Sequence, residues 1–132
     1  MQLKELEKLK AQYPQLVEVL SKYDNYLREL SKKTTNPDIV PVMVARRLSV
    51  TEARATALLS WLSDEGLLQP SYLVYCAKND YFLNQYTNIR DIPQEIDCPI
   101  DNEKHDIDDC NIQLIFQFTD LFHKRYPAFA TV

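Results

Sequence analysis

Glycine is almost missing from this chain of 132 residues, where Gly66 is the only one. Phosphate-cradling loops and dinucleotide fingerprints need several glycines at fixed offsets, so a bound nucleotide and the common nucleotide-dependent enzymes are excluded. Cysteine is scarce as well. Cys76, Cys98 and Cys110 are three in number, which builds no disulfide framework, agrees with a reducing compartment and leaves thiols or metal ligands as their roles. No apolar run nears the roughly 20 residues that span a bilayer. The start Met1-Gln2-Leu3-Lys4-Glu5 lacks the basic-then-apolar order of a signal peptide, so a cytoplasmic address without membrane contact is expected. Positive charge is not in excess either: fifteen basic residues against nineteen acidic ones give a formal charge of -4. A dedicated DNA-binding domain usually carries a net basic surface to displace counterions from phosphates. What is present is an ordinary apolar share of 45%, enough for one core with one appendage.

The first third carries a helical pattern. Leu6, Leu9, Tyr13, Leu16, Leu20, Tyr23, Leu27 and Leu30 follow one another at spacings of three and four, flanked by Glu and Lys. Pro14 interrupts this stripe, which predicts a short helix to about Gln12 and a second from Pro14 to about Lys32. The stripe is either an interface to a second copy or the apolar face of a helix packed on its own domain. Fewer than four heptads and a proline favour packing, and a homodimer seam stays open. Thr34, Thr35, Asn36, Pro37 and Asp38 form a polar turn cluster where the next unit begins.

From Pro41 to Leu48 the pattern predicts a short helix, and from about Thr51 to Glu65 a longer one stopped by Gly66. Either Ser49 with Glu52 as a capping box, or Thr51, caps the second helix. Ala53, Ala57, Leu58, Trp61 and Leu62 are expected to face the core, with Val44 and Leu48 opposite. The run Ala45-Arg46-Arg47-Leu48-Ser49-Val50-Thr51-Glu52 through Trp61-Leu62-Ser63-Asp64-Glu65-Gly66-Leu67-Leu68 resembles the winged helix-turn-helix superfamily, over about thirty residues. That resemblance implies a wing, and Tyr72 to Cys76 with Tyr81 to Tyr86 supply two β-prone runs around Lys78-Asn79-Asp80. Further strands are expected at Glu95 to Cys98 and Ile112 to Phe118.

The segments Cys76-Ala77-Lys78-Asn79-Asp80 and Cys98-Pro99-Ile100-Asp101-Asn102 resemble the two knuckles of a zinc ribbon, which normally read Cys-x-x-Cys-Gly, each with its second cysteine lost. The expected fold class is therefore α+β: N-terminal helices over 1–33, a winged helix-turn-helix core with wing over 34–87, and a small antiparallel β-sheet like a degenerate zinc ribbon, with a tail, over 88–132. Cys76, Cys98, His105 and Cys110 give a Cys3His set in number, but no two of them are two apart, as paired zinc ligands normally are. The reading this favours is no cofactor: a sheet that has lost its zinc and is held by Tyr75, Ile96, Ile112, Leu114 and Phe116, with a zinc held by ligands paired across strands as the alternative. The carboxylate-rich turn from Asn102 to Asp109 lacks calcium-loop spacing and reads as a solvated acidic loop.

No glycine turn of the oxyanion type accompanies any cysteine, so catalysis is not expected. If DNA is bound, the resemblance places the helix 51–65 in the major groove, with Lys32, Lys33, Arg46, Arg47, Glu52, Arg54 and Thr56 as the contact set. Asp64 and Glu65 at the end of that helix, together with the net charge, weaken such a footprint. The sequence thus favours a non-enzymatic interaction module with a protein partner or a second copy, and a DNA-binding transcriptional regulator is the alternative.

Overall fold

A computed structural model describes residues 3–33 and 37–126 of the chain, and the fold it gives is mixed α+β. Among the described residues the helices are α1 (Lys4–Gln12), α2 (Val17–Lys33), α3 (Pro41–Leu48), α4 (Glu52–Asp64) and α5 (Asp120–Arg125). The strands are β1 (Leu68–Cys76), β2 (Phe82–Tyr86), β3 (Glu95–Cys98), β4 (Glu103–Asp106) and β5 (Cys110–Phe118). In one sheet β1 lies between β2 and β5, and β3 and β4 form a second, two-stranded sheet. No helix among the described residues is long and apolar enough to cross a membrane. The chain divides into two compact units: the described residues up to Gln69 together with those from Phe116 on, and residues Pro70–Ile115. The boundaries therefore fall within β1 and β5, rather than near residues 33 and 87 as the sequence suggested.

In the first unit the proline break is real but displaced. Pro14 heads a 3-10 turn over Pro14–Leu16, and the α-helix proper begins at Val17, since proline donates no amide and suits the start of a helical segment. Packing of α2 against α1 and α3 consumes most of the apolar stripe. Leu6, Leu20, Tyr23 and Leu27 are fully buried, Leu9, Leu16 and Leu30 are half-buried, and Tyr13 is exposed. The centre of the expected interface is thus core.

The α3–α4 pair forms where the pattern placed it. Ser49 adopts the left-handed conformation (φ 57°) and ends α3, with the Val50 amide reaching back to the Ala45 carbonyl at 3.0 Å. It cannot head a capping box from there. Thr51 is the cap, its hydroxyl accepting the Arg54 amide at 3.1 Å. The core face of α4 also differs from the expected one: Ala55, Leu59 and Leu62 are buried, Leu58 and Trp61 lie at the margin, and Ala53 and Ala57 are exposed. Alanine adds little apolar area, so the larger side chains decide the face, and both alanines counted towards the wrong stripe. Val44 and Leu48 are buried as expected.

Gly66 closes α4 at φ 81°, where a β-carbon would meet Leu121 at 3.2 Å. Its carbonyl accepts the Thr119 hydroxyl at 2.6 Å, and Thr119 in turn caps α5 by accepting the Phe122 amide at 3.2 Å. Ile39 exchanges two backbone hydrogen bonds with Phe116, so the residue just past the polar turn pairs with the end of β5. Thr34, Thr35 and Asn36 of that turn lie outside the described residues.

The second unit is thinly cored. Its buried side chains are Ser71, Val74, Cys76, Ile96, Cys98 and Ile115. Of the set expected to hold a metal-free sheet, Ile96 alone is buried in this unit: Tyr75 and Leu114 are half-buried, Ile112 is exposed, and Phe116 belongs to the first unit. The hairpin β1–β2 forms as expected, with Tyr72 opposite Tyr86 and an irregularity between Val74 and Tyr75. Within the supposed acidic loop lies β4, antiparallel to β3 with Ile96 opposite His105 and Cys98 opposite Glu103. Four polar residues show no apolar alternation, which hid this strand.

Candidate metal centre

The site begins with two turns of the same build. Cys76 ends β1 and Cys98 ends β3. The carbonyl of Cys76 accepts the Asp80 amide at 2.8 Å, and that of Cys98 accepts the Asn102 amide at 2.9 Å. Asp80 (φ 56°) and Asn102 (φ 62°) both take the left-handed conformation, which Asp and Asn tolerate better than other non-glycine residues. The parallel extends to the residue before each. Asn79 Oδ1 accepts the Tyr81 amide at 3.0 Å, and Asp101 Oδ1 accepts the Glu103 amide at 3.1 Å. Two cysteine turns with equivalent hydrogen bonds therefore come from segments far apart in sequence, and neither needs glycine.

These turns and β4 gather four donor groups. The ligand atoms of Cys76, Cys98, Asp101 and His105 all lie within 4.8 Å of one another, the two thiols buried and the other two groups half-buried. His105 Nε2 stands 2.7 Å from Asp101 Oδ2. Burial alone would raise the Cys98 thiol, but the backbone amides of Asp101 and Ile100, with the Asn79 and Cys76 side chains, pull it below the ordinary thiol value. For Asp101, burial is likewise outweighed, here by the Glu103 amide and His105, and its carboxyl is held down. The hydrogen bond to Asp101 raises His105 against the opposing effect of burial, with Cys98 adding to the rise. The Asp101 carboxylate and the His105 imidazolium thus favour each other's charged forms. Two sulfurs, an imidazole nitrogen and a carboxylate oxygen are donors suited to a borderline-soft divalent ion.

Three of the four residues singled out from sequence, Cys76, Cys98 and His105, come together, and Cys110 does not join them. The Cys110 thiol is half-buried and donates to the Asp106 carbonyl at 3.6 Å. Burial pushes it up, as do Cys76, Asp109, Asp106 and Cys98 nearby. It lines, with Cys76 and His105, an open cavity of about 580 Å³ whose rim carries Lys78, Glu103, Asp108 and Asp109. Asp101 is the ligand candidate that sequence reasoning missed. Its signal was its place, three residues after Cys98, where the second cysteine of a knuckle would stand.

The residues proposed for DNA are differently placed. Lys32, Arg46, Arg47, Glu52 and Arg54 are exposed, Thr56 is half-buried, and the Lys33 side chain is outside what the structure describes. Arg47 is engaged: it pairs with Glu29 at 2.6 Å and lies over the Tyr26 ring at 5.7 Å. The Thr56 hydroxyl donates to the Glu52 carbonyl at 2.9 Å. Arg46 and Arg54 make no ion pair among the described residues. No family model, curated protein or solved structure matches the chain.

Proposed function

We propose that this chain is a non-enzymatic, cytoplasmic interaction module of winged-helix type, acting as an adaptor or accessory subunit of a larger protein assembly. The observation that carries the reading is the inverted apolar balance of the second unit. Tyr81, Phe82, Ile89, Ile100 and Ile112 are exposed there while few side chains are buried. These are half of the exposed large apolar side chains among the described residues, carried by the smaller unit, and exposed apolar groups of this kind mark a surface that another protein covers. Tyr75 packs edge-on against Phe82 at 5.7 Å and, with Ile112, lines an open groove of about 290 Å³. Aromatic side chains offer large contact area at low entropic cost.

Electrostatics support the same choice. The net charge is -4, Arg47 is already paired, and Glu52, Asp64 and Glu65 stand exposed on or beside α4. The thiols of Cys76 and Cys98 are buried, which supports a structural rather than a nucleophilic role. The test is fluorescence anisotropy of a labelled mixed-sequence duplex titrated with the full chain at low salt. The adaptor reading predicts no salt-sensitive binding at micromolar protein. Micromolar binding that weakens steeply with salt and disappears in Arg46→Ala/Arg54→Ala would overturn it in favour of the DNA-binding regulator.

A further inference from the structure

We propose that Cys76, Cys98, Asp101 and His105 hold one zinc ion, and that this ion, in place of an apolar core, fixes the fold of residues 70–115. The proposal goes beyond the interaction reading and stands independently of it. Geometry comes first. Zinc bonds of about 2.0–2.3 Å in a tetrahedron set the donor atoms roughly 3.3–3.8 Å apart. Donors already within 4.8 Å of one another stand at most about 1 Å beyond that figure. His105 Nε2 and Asp101 Oδ2, now 2.7 Å apart, separate slightly to take the ion between them.

Donor chemistry selects the metal. Two thiols disfavour calcium and magnesium, which take oxygen ligands, and three cysteines in the chain fall short of the four thiolates of an ordinary iron–sulfur cluster. Cys98 and Asp101 come from one tight turn and chelate together, while Cys76 arrives from the matching turn and His105 from β4. Loading forms two Zn–S, one Zn–N and one Zn–O bond, displaces water from the aqueous ion, and releases to solvent the thiol protons and the imidazole proton of any protonated His105, with no change of oxidation state.

The need for the ion is energetic. Outside the cluster, residues 70–115 bury only Ser71, Val74, Ile96 and Ile115. Units of this size rarely gain enough from apolar burial to offset chain entropy, and a structural metal is one of the usual remedies.

The full chain, reduced and stripped of metal, is titrated with Co(II) as a spectroscopic probe and then with Zn(II). Expected are tetrahedral d–d bands with thiolate-to-cobalt charge transfer, saturating at one equivalent per chain and abolished by one equivalent of zinc. Cys110→Ser leaves the spectrum and the stoichiometry unchanged. Asp101→Asn keeps the shape of the side chain and its bond to the Glu103 amide, and weakens cobalt affinity at least about tenfold. Three results overturn the proposal: uptake far below one equivalent by the wild-type chain, weak octahedral bands without charge transfer, or loss of the thiolate band in Cys110→Ser.

Discussion

Two buried tyrosines in the first unit show how much a single hydroxyl matters. Tyr126 donates to Glu5 Oε1 at 2.5 Å and accepts the Lys4 amide at 3.0 Å, so its oxygen is satisfied. Burial and the Glu5 bond push its phenol up to about 12. Tyr23 is equally deep, but its hydroxyl finds no hydrogen-bond partner among the described residues, and burial raises its phenol well above the ordinary value. An unpaired buried hydroxyl costs stability that a ring of the same shape does not. Tyr23→Phe should therefore raise unfolding stability by about 1 kcal/mol, measured by urea denaturation, and a loss of stability would mean that the hydroxyl has a partner. At this scale the sequence marked Cys76, Cys98 and His105 because cysteine and histidine stand out as ligands. Asp101 was lost among the surface carboxylates that surround it, and Cys110 was counted for its element rather than its position.

Helices were the most legible elements. The bounds of α3 matched the sequence pattern, and α4 came within a residue of it at each end, because Pro41, Thr51 and Gly66 act locally on the backbone. The rotation of α4 was not legible, since Ala53 and Ala57 fit a helical stripe without having to be buried. β4 escaped for a related reason: its four residues are held by pairing with β3, not by an apolar face of their own. Between α3 and α4, Ser49 occupies a left-handed position that ordinarily costs an L-residue about 1 kcal/mol. Ser49→Gly relieves that strain and gives back part of the gain through the greater freedom of glycine in the unfolded chain. A net rise of about 0.5 kcal/mol in unfolding free energy is expected. Urea unfolding checks it, and a fall would show that the Ser49 side chain supports the turn.

On the scale of the whole molecule, the sequence announced three consecutive segments, and the chain instead makes two units, of which one is assembled from both ends. Local patterns could not show this, because the joining contacts are long-range: Ile39 with Phe116, Gly66 with Thr119, and Glu5 with Tyr126. The two units differ in what holds them. The first buries leucines and aromatic rings such as Leu20, Leu27, Leu59, Phe116 and Phe122, and the second buries little beyond two cysteines and three aliphatic side chains. With the proposed zinc ion, the second unit depends on metal and the first does not. Hydrogen exchange of the full chain, read peptide by peptide in zinc and then in excess chelator under reducing conditions, tests it most directly. Chelation is expected to strip protection from β1, β3 and β4 within residues 70–115 while α2, α3 and α4 stay protected. Unchanged protection of residues 70–115 after complete metal removal, or an equal loss in both units, would contradict it.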